Sequence, residues 1–172
     1  MSSDLIDFAL SIEAGSWGDE DRIAGLVGRV LPVAAAYLAE REGQPFPGQP
    51  VEVSLLFTDD AAMTALNGAW RGREKPTNVL SFPAYPISPG QMPGPMLGDI
   101  ILARETIERE AGELERPVDD HLTHLIVHGL LHLFGYDHLE NAEAEKMEGL
   151  ETGILAELDL SDPYGDSVPE NE

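Results

Sequence analysis

All five histidines of this 172-residue chain fall in one stretch, HLTHLIVHGLLHLFGYDH, at positions 121–138. Three of them, His128, His132 and His138, stand in the pattern H-x-x-x-H-x-x-x-x-x-H. Residues four apart on an α-helix project from one face a turn apart, so His128 and His132 can bring two imidazoles to one metal ion. Gly135 follows where a glycine can take the left-handed conformation that ends a helix and turns the chain back, letting His138 return as a third ligand.

Composition narrows the donor set. The chain has no cysteine, which excludes disulfides and thiolate sites and leaves histidine and carboxylate to hold a metal. Histidine ligands favour zinc, one ion per chain, although cobalt, nickel or copper can use the same nitrogens. Three protein ligands leave a fourth position for water, as in catalytic sites, and zinc lowers the pKa of that water to about 7. The spacing matches the peptidase motif H-E-x-x-H-x-x-G-x-x-H, but Gly129 stands where those enzymes carry their glutamate base. A peptidase of that type is disfavoured. The chemistry then depends on the metal, on groups of the substrate, or on a carboxylate from elsewhere. Asp137, beside His138, is expected to orient a ligand imidazole or to cap the turn. His121 and His124, within two turns before the first ligand, read as surface groups or as supports behind the ligands, and Met147 reads as core.

The rest of the chain alternates strands and helices. Strands are expected over 4–14, 51–57, 77–82 and 97–102, and helices from the acidic run at 19–21 through about 38, over 58–67, over 103–115, from Pro117 through the histidines, and over 141–158. NVLSFP and LGDIIL can pair as antiparallel neighbours across the proline- and glycine-rich segment 87–95. The hydrophobic fraction of 42% suits one domain over residues 1–160, and an acidic, flexible tail is expected over 161–172. No basic leader precedes an apolar run and no 18 apolar residues stand together, so a soluble cytoplasmic protein without membrane contact is expected.

Ten Lys and Arg oppose 32 Asp and Glu, a formal charge of −22 that repels phosphate at long range. Any nucleic-acid contact must be local. Arg71, Arg73 and Lys75 put three of the ten positive charges within WRGREKPTNVLSFPAY, where a cationic loop is expected before the third strand.

HGLLHLFGYDH, together with RGREKPTNVLSFP, LGDI and the downstream EAEKMEGLE, resembles the YbeY family of endoribonucleases, or rRNA maturation factors, in the same order over roughly residues 50–160. The resemblance implies an α+β fold with helices around a small sheet: here a single domain with a small mixed sheet of about four strands, about five helices, and a zincin-like metal-site helix. It implies zinc on His128, His132 and His138, and a functionally important arginine at Arg71. It also implies action on single-stranded RNA, namely rRNA precursors, in maturation of the small-subunit rRNA 3′ end and in ribosome quality control. Partners are then the small ribosomal subunit and its proteins, with no DNA expected.

Arg71 and the metal would stabilise the charge that gathers on phosphoryl oxygens from two sides. Arg73 and Lys75 would guide the RNA backbone or remain plain solvated charges. Thr77 and Asn78 are expected to shape the turn before the strand. Attack on phosphorus by a hydroxide at the fourth position and use of that hydroxide as base on the RNA 2′-hydroxyl are both open. A ribosome assembly or quality-control factor with a structural zinc site and little nuclease activity is the alternative. Hydrolysis of a small or peptide substrate stands third, with Gly129 against it.

Overall fold

The computed structural model describes residues 5–14, 17–72, 77–137 and 139–163, with the backbone alone given at 70 and 71. Its elements run β1 (Ile6–Ile12), α1 (Glu20–Glu42), β2 (Val51–Thr58), α2 (Asp60–Arg71), β3 (Val79–Pro83), β4 (Met96–Ala103), α3 (Arg104–Leu114), α4 (Val118–Leu133) and α5 (Asn141–Glu157). This is the expected α+β arrangement. The four strands lie in the order β1-β2-β4-β3, with β1, β2 and β4 parallel and β3 antiparallel to β4. NVLSFP and LGDIIL do pair, from Val79 opposite Leu102 to Pro83 opposite Gly98.

Local chemistry sets the helix ends. The Asp19 side chain accepts from the Asp21 N–H at the start of α1, and Gly43 closes that helix with φ +66° and its N–H on the Leu38 carbonyl. Among the described residues α1 is the one helix long and apolar enough to cross a membrane. Its apolar stripe, from Ile23 to Leu38, is instead buried in the core. Asp59 caps α2 by accepting from the Ala62 N–H at 2.9 Å, and α2 then runs on to Arg71 before Gly72 ends it at φ +69°. Arg71 therefore closes a helix and does not stand in the expected loop, because no residue between Leu66 and Arg71 interrupts the helical hydrogen-bond ladder. Met63 of α2 packs with Leu80, Ile101 and Ala103 on one face of the sheet.

The opposite face carries α4, which lies on β3 and β4 and is flanked by α1, α3 and α5. Leu122, Leu125, Ile126, Leu130 and Leu133 are all buried, as their spacing predicts. Helix and sheet are joined at Gly129, whose carbonyl accepts from the Ser81 hydroxyl at 3.1 Å. Just beyond α4, Gly135 adopts φ +101°, and a Cβ there would run into the Ile87 carbonyl and the backbone of Pro89. The turn that the sequence places after the second histidine is thus packed against the β3–β4 connection.

Candidate metal centre

His121, His124, His128 and His132 form a stripe along α4, with successive ring centroids 6.2, 6.4 and 4.6 Å apart. The spacing of three or four residues puts every ring on the same side of the helix. The two rings nearest the C-terminal end converge. His128 Nε2 and His132 Nε2 stand 3.1 Å apart.

Behind that pair, His121, His124 and His128 each meet a carboxylate. Glu151, fully buried on α5, lies 2.7 Å from His128 Nδ1 through Oε2 and 2.7 Å from His124 Nε2 through Oε1. Burial alone would push the Glu151 carboxyl up, but the hydrogen bonds from His124 and His128, joined by the positive charge of those rings whenever they are protonated, hold it well below the usual carboxylate range. A carboxylate donates nothing, so each ring brings the proton to its bond. His121 Nε2 meets Glu110 Oε1 at 2.9 Å, and Asn78 Nδ2 donates to that same oxygen at 3.0 Å. His121 is 6% exposed and does not belong to the surface, contrary to one of its two expected readings.

The donor set fits a metal ion such as zinc. Two nitrogens held about 2.0–2.1 Å from one tetrahedral zinc stand about 3.3 Å apart, close to the 3.1 Å found between the two Nε2 atoms. With its proton on Nδ1, His128 presents a lone pair at Nε2, the state a metal ligand requires. The zinc ligands that this pattern nominates are His128, His132 and His138. Of these the third lies outside the described residues, and among the described residues no three His, Asp or Glu side chains gather as a complete metal cluster. Arg73 and Lys75 also lie outside the described residues, and Arg71 is described by its backbone alone. Asp137 lines a cavity of about 370 Å³ with Glu42, Tyr136 and Lys146, where the turn after α4 meets α1 and α5.

Glu151 is the residue that sequence reasoning left without a role. It stands in the EAEKMEGLE segment, and its signal was periodicity: Met147, Leu150, Glu151, Ile154 and Leu155 make the buried stripe of α5, so one carboxylate sits on an otherwise apolar face. A charge in that place needs a partner, and the histidine stripe of α4 supplies two.

The chain resembles known proteins across the same elements. The family described as Endoribonuclease YbeY matches residues 18–159. The Endoribonuclease YbeY of Rhizobium meliloti (strain 1021) is 62% identical over 164 residues, covering 95% of this chain and 98% of the relative. That of Rhizobium etli (strain CIAT 652) is 64% identical over 159 residues, covering 92% and 93%. The solution structure of TM1509 from Thermotoga maritima superposes with a TM-score of 0.53 at 23% identity, over 95% of this chain and 100% of that one, and shares the fold. With the family pattern running from α1 to the end of α5, and relatives of that name matching nearly end to end, the chain belongs to the endoribonuclease YbeY family.

Proposed function

We propose that this protein is a zinc-dependent, single-strand-specific endoribonuclease of the cytoplasm. Its substrate is precursor rRNA, and its roles are maturation of the small-subunit rRNA 3′ end and ribosome quality control in contact with small-subunit proteins. The relatives' name supports the endoribonuclease part. The observation that carries the metal part is the convergence of His128 Nε2 and His132 Nε2 at 3.1 Å, with His128 Nδ1 held by Glu151.

In this reading His128, His132 and His138 hold one zinc ion. When bound, that ion supplies Lewis acidity toward a phosphoryl oxygen and a nucleophile or base near neutral pH. Arg71 brings a guanidinium to the non-bridging oxygens, where its planar fork suits the charge that develops in the transition state. Arg73 and Lys75 steer the strand. Charge distribution supports this placement: Arg22, Arg104 and Lys146 are each 2.7 Å from a carboxylate, and Arg116 donates to the Asp162 and Pro163 carbonyls. The run at 71–75, with three of the ten positive charges within five residues, offers the local cationic spot that an acidic molecule needs in order to bind RNA.

The test is to map rRNA precursor ends in cells carrying wild-type or His132→Ala protein. Unprocessed small-subunit 3′ ends in the variant are expected, and normal ends in a folded variant would sink the proposal. A second reading, an assembly factor with a structural zinc site and little nuclease activity, is favoured by the net charge of −22, which suits basic ribosomal proteins better than bare RNA. Full complementation by His132→Ala would select it.

A further inference from the structure

We infer that Glu151 is a positioning residue for the metal site, fixing His128 in the tautomer that offers Nε2 as an electron-pair donor, with His124 holding the carboxylate from its other side. The inference rests on the zinc reading above and gives it a mechanism of assembly.

The geometry is a clamp between two helices. From α5, one carboxylate reaches two imidazoles one turn apart on α4, at 2.7 Å to each and through a different oxygen for each. Occupation of both oxygens fixes the carboxylate against rotation, so Oε2 is held 2.7 Å from His128 Nδ1. His128 is thereby denied its alternative tautomer, in which the proton would occupy Nε2 and block the nitrogen that faces His132. His124 is too far along the helix to join the converging pair, its ring centroid lying 6.4 Å from that of His128. Its contribution is to the carboxylate.

Stability alone does not account for this arrangement. Glu151 is fully buried on the apolar face of α5, between Leu150 and Leu155. Replacing a buried ionic cluster by apolar side chains of similar volume is often neutral or stabilising, so packing gives no reason to keep a carboxylate here. Outer carboxylates that orient a ligand imidazole have a measurable effect, typically 10- to 100-fold in metal affinity.

Two readouts on the full chain test this without RNA. The first is the side-chain tautomer of His128 in zinc-free wild-type protein, from long-range ¹H–¹⁵N correlation spectra. The Nδ1–H form is expected, and the Nε2–H form would overturn the inference without any variant being made. The second is zinc affinity by chelator competition. Glu151→Gln should weaken zinc binding about 10- to 100-fold and release the fixed tautomer. His124→Gln retains an N–H donor for Oε1 and should stay close to wild type, whereas His124→Leu should fall with Glu151→Gln. Thermal melts of the zinc-free forms show whether each variant is folded, and the His124 pair stands as the test if Glu151→Gln is not. Zinc binding by wild type with no change in folded Glu151→Gln, or no difference within the His124 pair, overturns the inference and leaves the zinc reading intact. Absence of zinc binding by wild type overturns both.

Discussion

The Ser81 hydroxyl of β3 donates to the Gly129 carbonyl of α4 at 3.1 Å. A Cβ on Gly129 would stand 3.0 Å from Ser81 Oγ and 3.1 Å from Ile100 Cγ2. The position that holds a glutamate base in peptidases of matching histidine spacing therefore faces β3 and β4 in this protein. A side chain there needs Ser81 and Ile100 to give way, so packing favours the glycine that also leaves the position without a base.

Gly129→Glu is accordingly expected to cost roughly 3 kcal/mol, through overpacking and a carboxylate buried against the sheet, and to confer no peptidase activity. Gly129→Ala should cost less, since about 1 kcal/mol of helix propensity offsets part of the clash. Urea denaturation midpoints at constant m-value measure both. A Glu variant as stable as wild type would show that α4 is not seated on Ser81 and Ile100 as described.

His132→Ala and His128→Ala should both abolish RNA cleavage, but they should differ in stability. His132 lies at the less buried end of the stripe, whereas His128 bonds the buried Glu151 at 2.7 Å. Removing His128 leaves a carboxylate oxygen without its donor, a loss of roughly 1–3 kcal/mol. Denaturation of the two zinc-free variants should show that gap, and equal stabilities would argue against the Glu151 bond.

Arg71→Glu should abolish cleavage with the fold intact. As the last residue of α2, it places a carboxylate at the negative end of the helix dipole, at a cost of roughly 0.3–1 kcal/mol, too little to unfold the protein. Arg71→Lys keeps the charge and loses the planar fork, so an intermediate rate is expected. Single-turnover cleavage of a single-stranded RNA beside circular dichroism separates these outcomes. Full activity in Arg71→Glu would remove the arginine from the mechanism.

Much of this architecture was legible because its determinants are local. Caps at Asp19 and Asp59, the apolar stripe of α4 and the antiparallel pairing of NVLSFP with LGDIIL follow from neighbouring residues or from simple alternation. Two features were not local. Arg71 read as part of a cationic loop because charge drew attention away from the uninterrupted helix before Gly72. The partners of the histidines come from elsewhere in the chain, Glu110 on α3 and Glu151 on α5, and pairing across 11, 23 or 27 residues is a property of helix packing that spacing within the motif does not encode. Asn78, expected to shape a turn, also joins this set by donating to Glu110.

Glu110 gives a pH dependence with a definite sign. Burial raises the pKa of its carboxyl, but hydrogen bonds from His121 and Asn78, and then the charges of His121 and Arg109, outweigh that and leave it below the ordinary 4.5. A depressed folded pKa means stability that is present above the unfolded value and lost as pH falls through the folded one. Below about pH 4.5, wild type should lose stability more steeply than Glu110→Gln, whose side chain does not titrate. Urea midpoints of both proteins between pH 6 and pH 3 test this, and parallel curves would rule out a contribution from Glu110.

The chain just beyond residue 160 is anchored, which bears on where the domain may be cut. Arg116 Nη2 donates to the carbonyls of Asp162 at 3.3 Å and Pro163 at 3.0 Å, and the Thr152 hydroxyl donates to Asp162 Oδ1 at 3.2 Å. Pro163 is buried. Truncation after residue 160 removes three acceptors and leaves Arg116 and Thr152 to water, while truncation after residue 163 keeps them. At roughly 0.5–1.5 kcal/mol for each such bond, discounted for exposure at this edge, the shorter protein should be about 1–2 kcal/mol less stable. Arg116→Ala should remove most of that difference, because the two truncations then differ mainly by the Thr152 bond. Thermal melts of the four proteins measure the coupling, and a difference that persists in full without Arg116 would assign the anchoring to Pro163 packing instead.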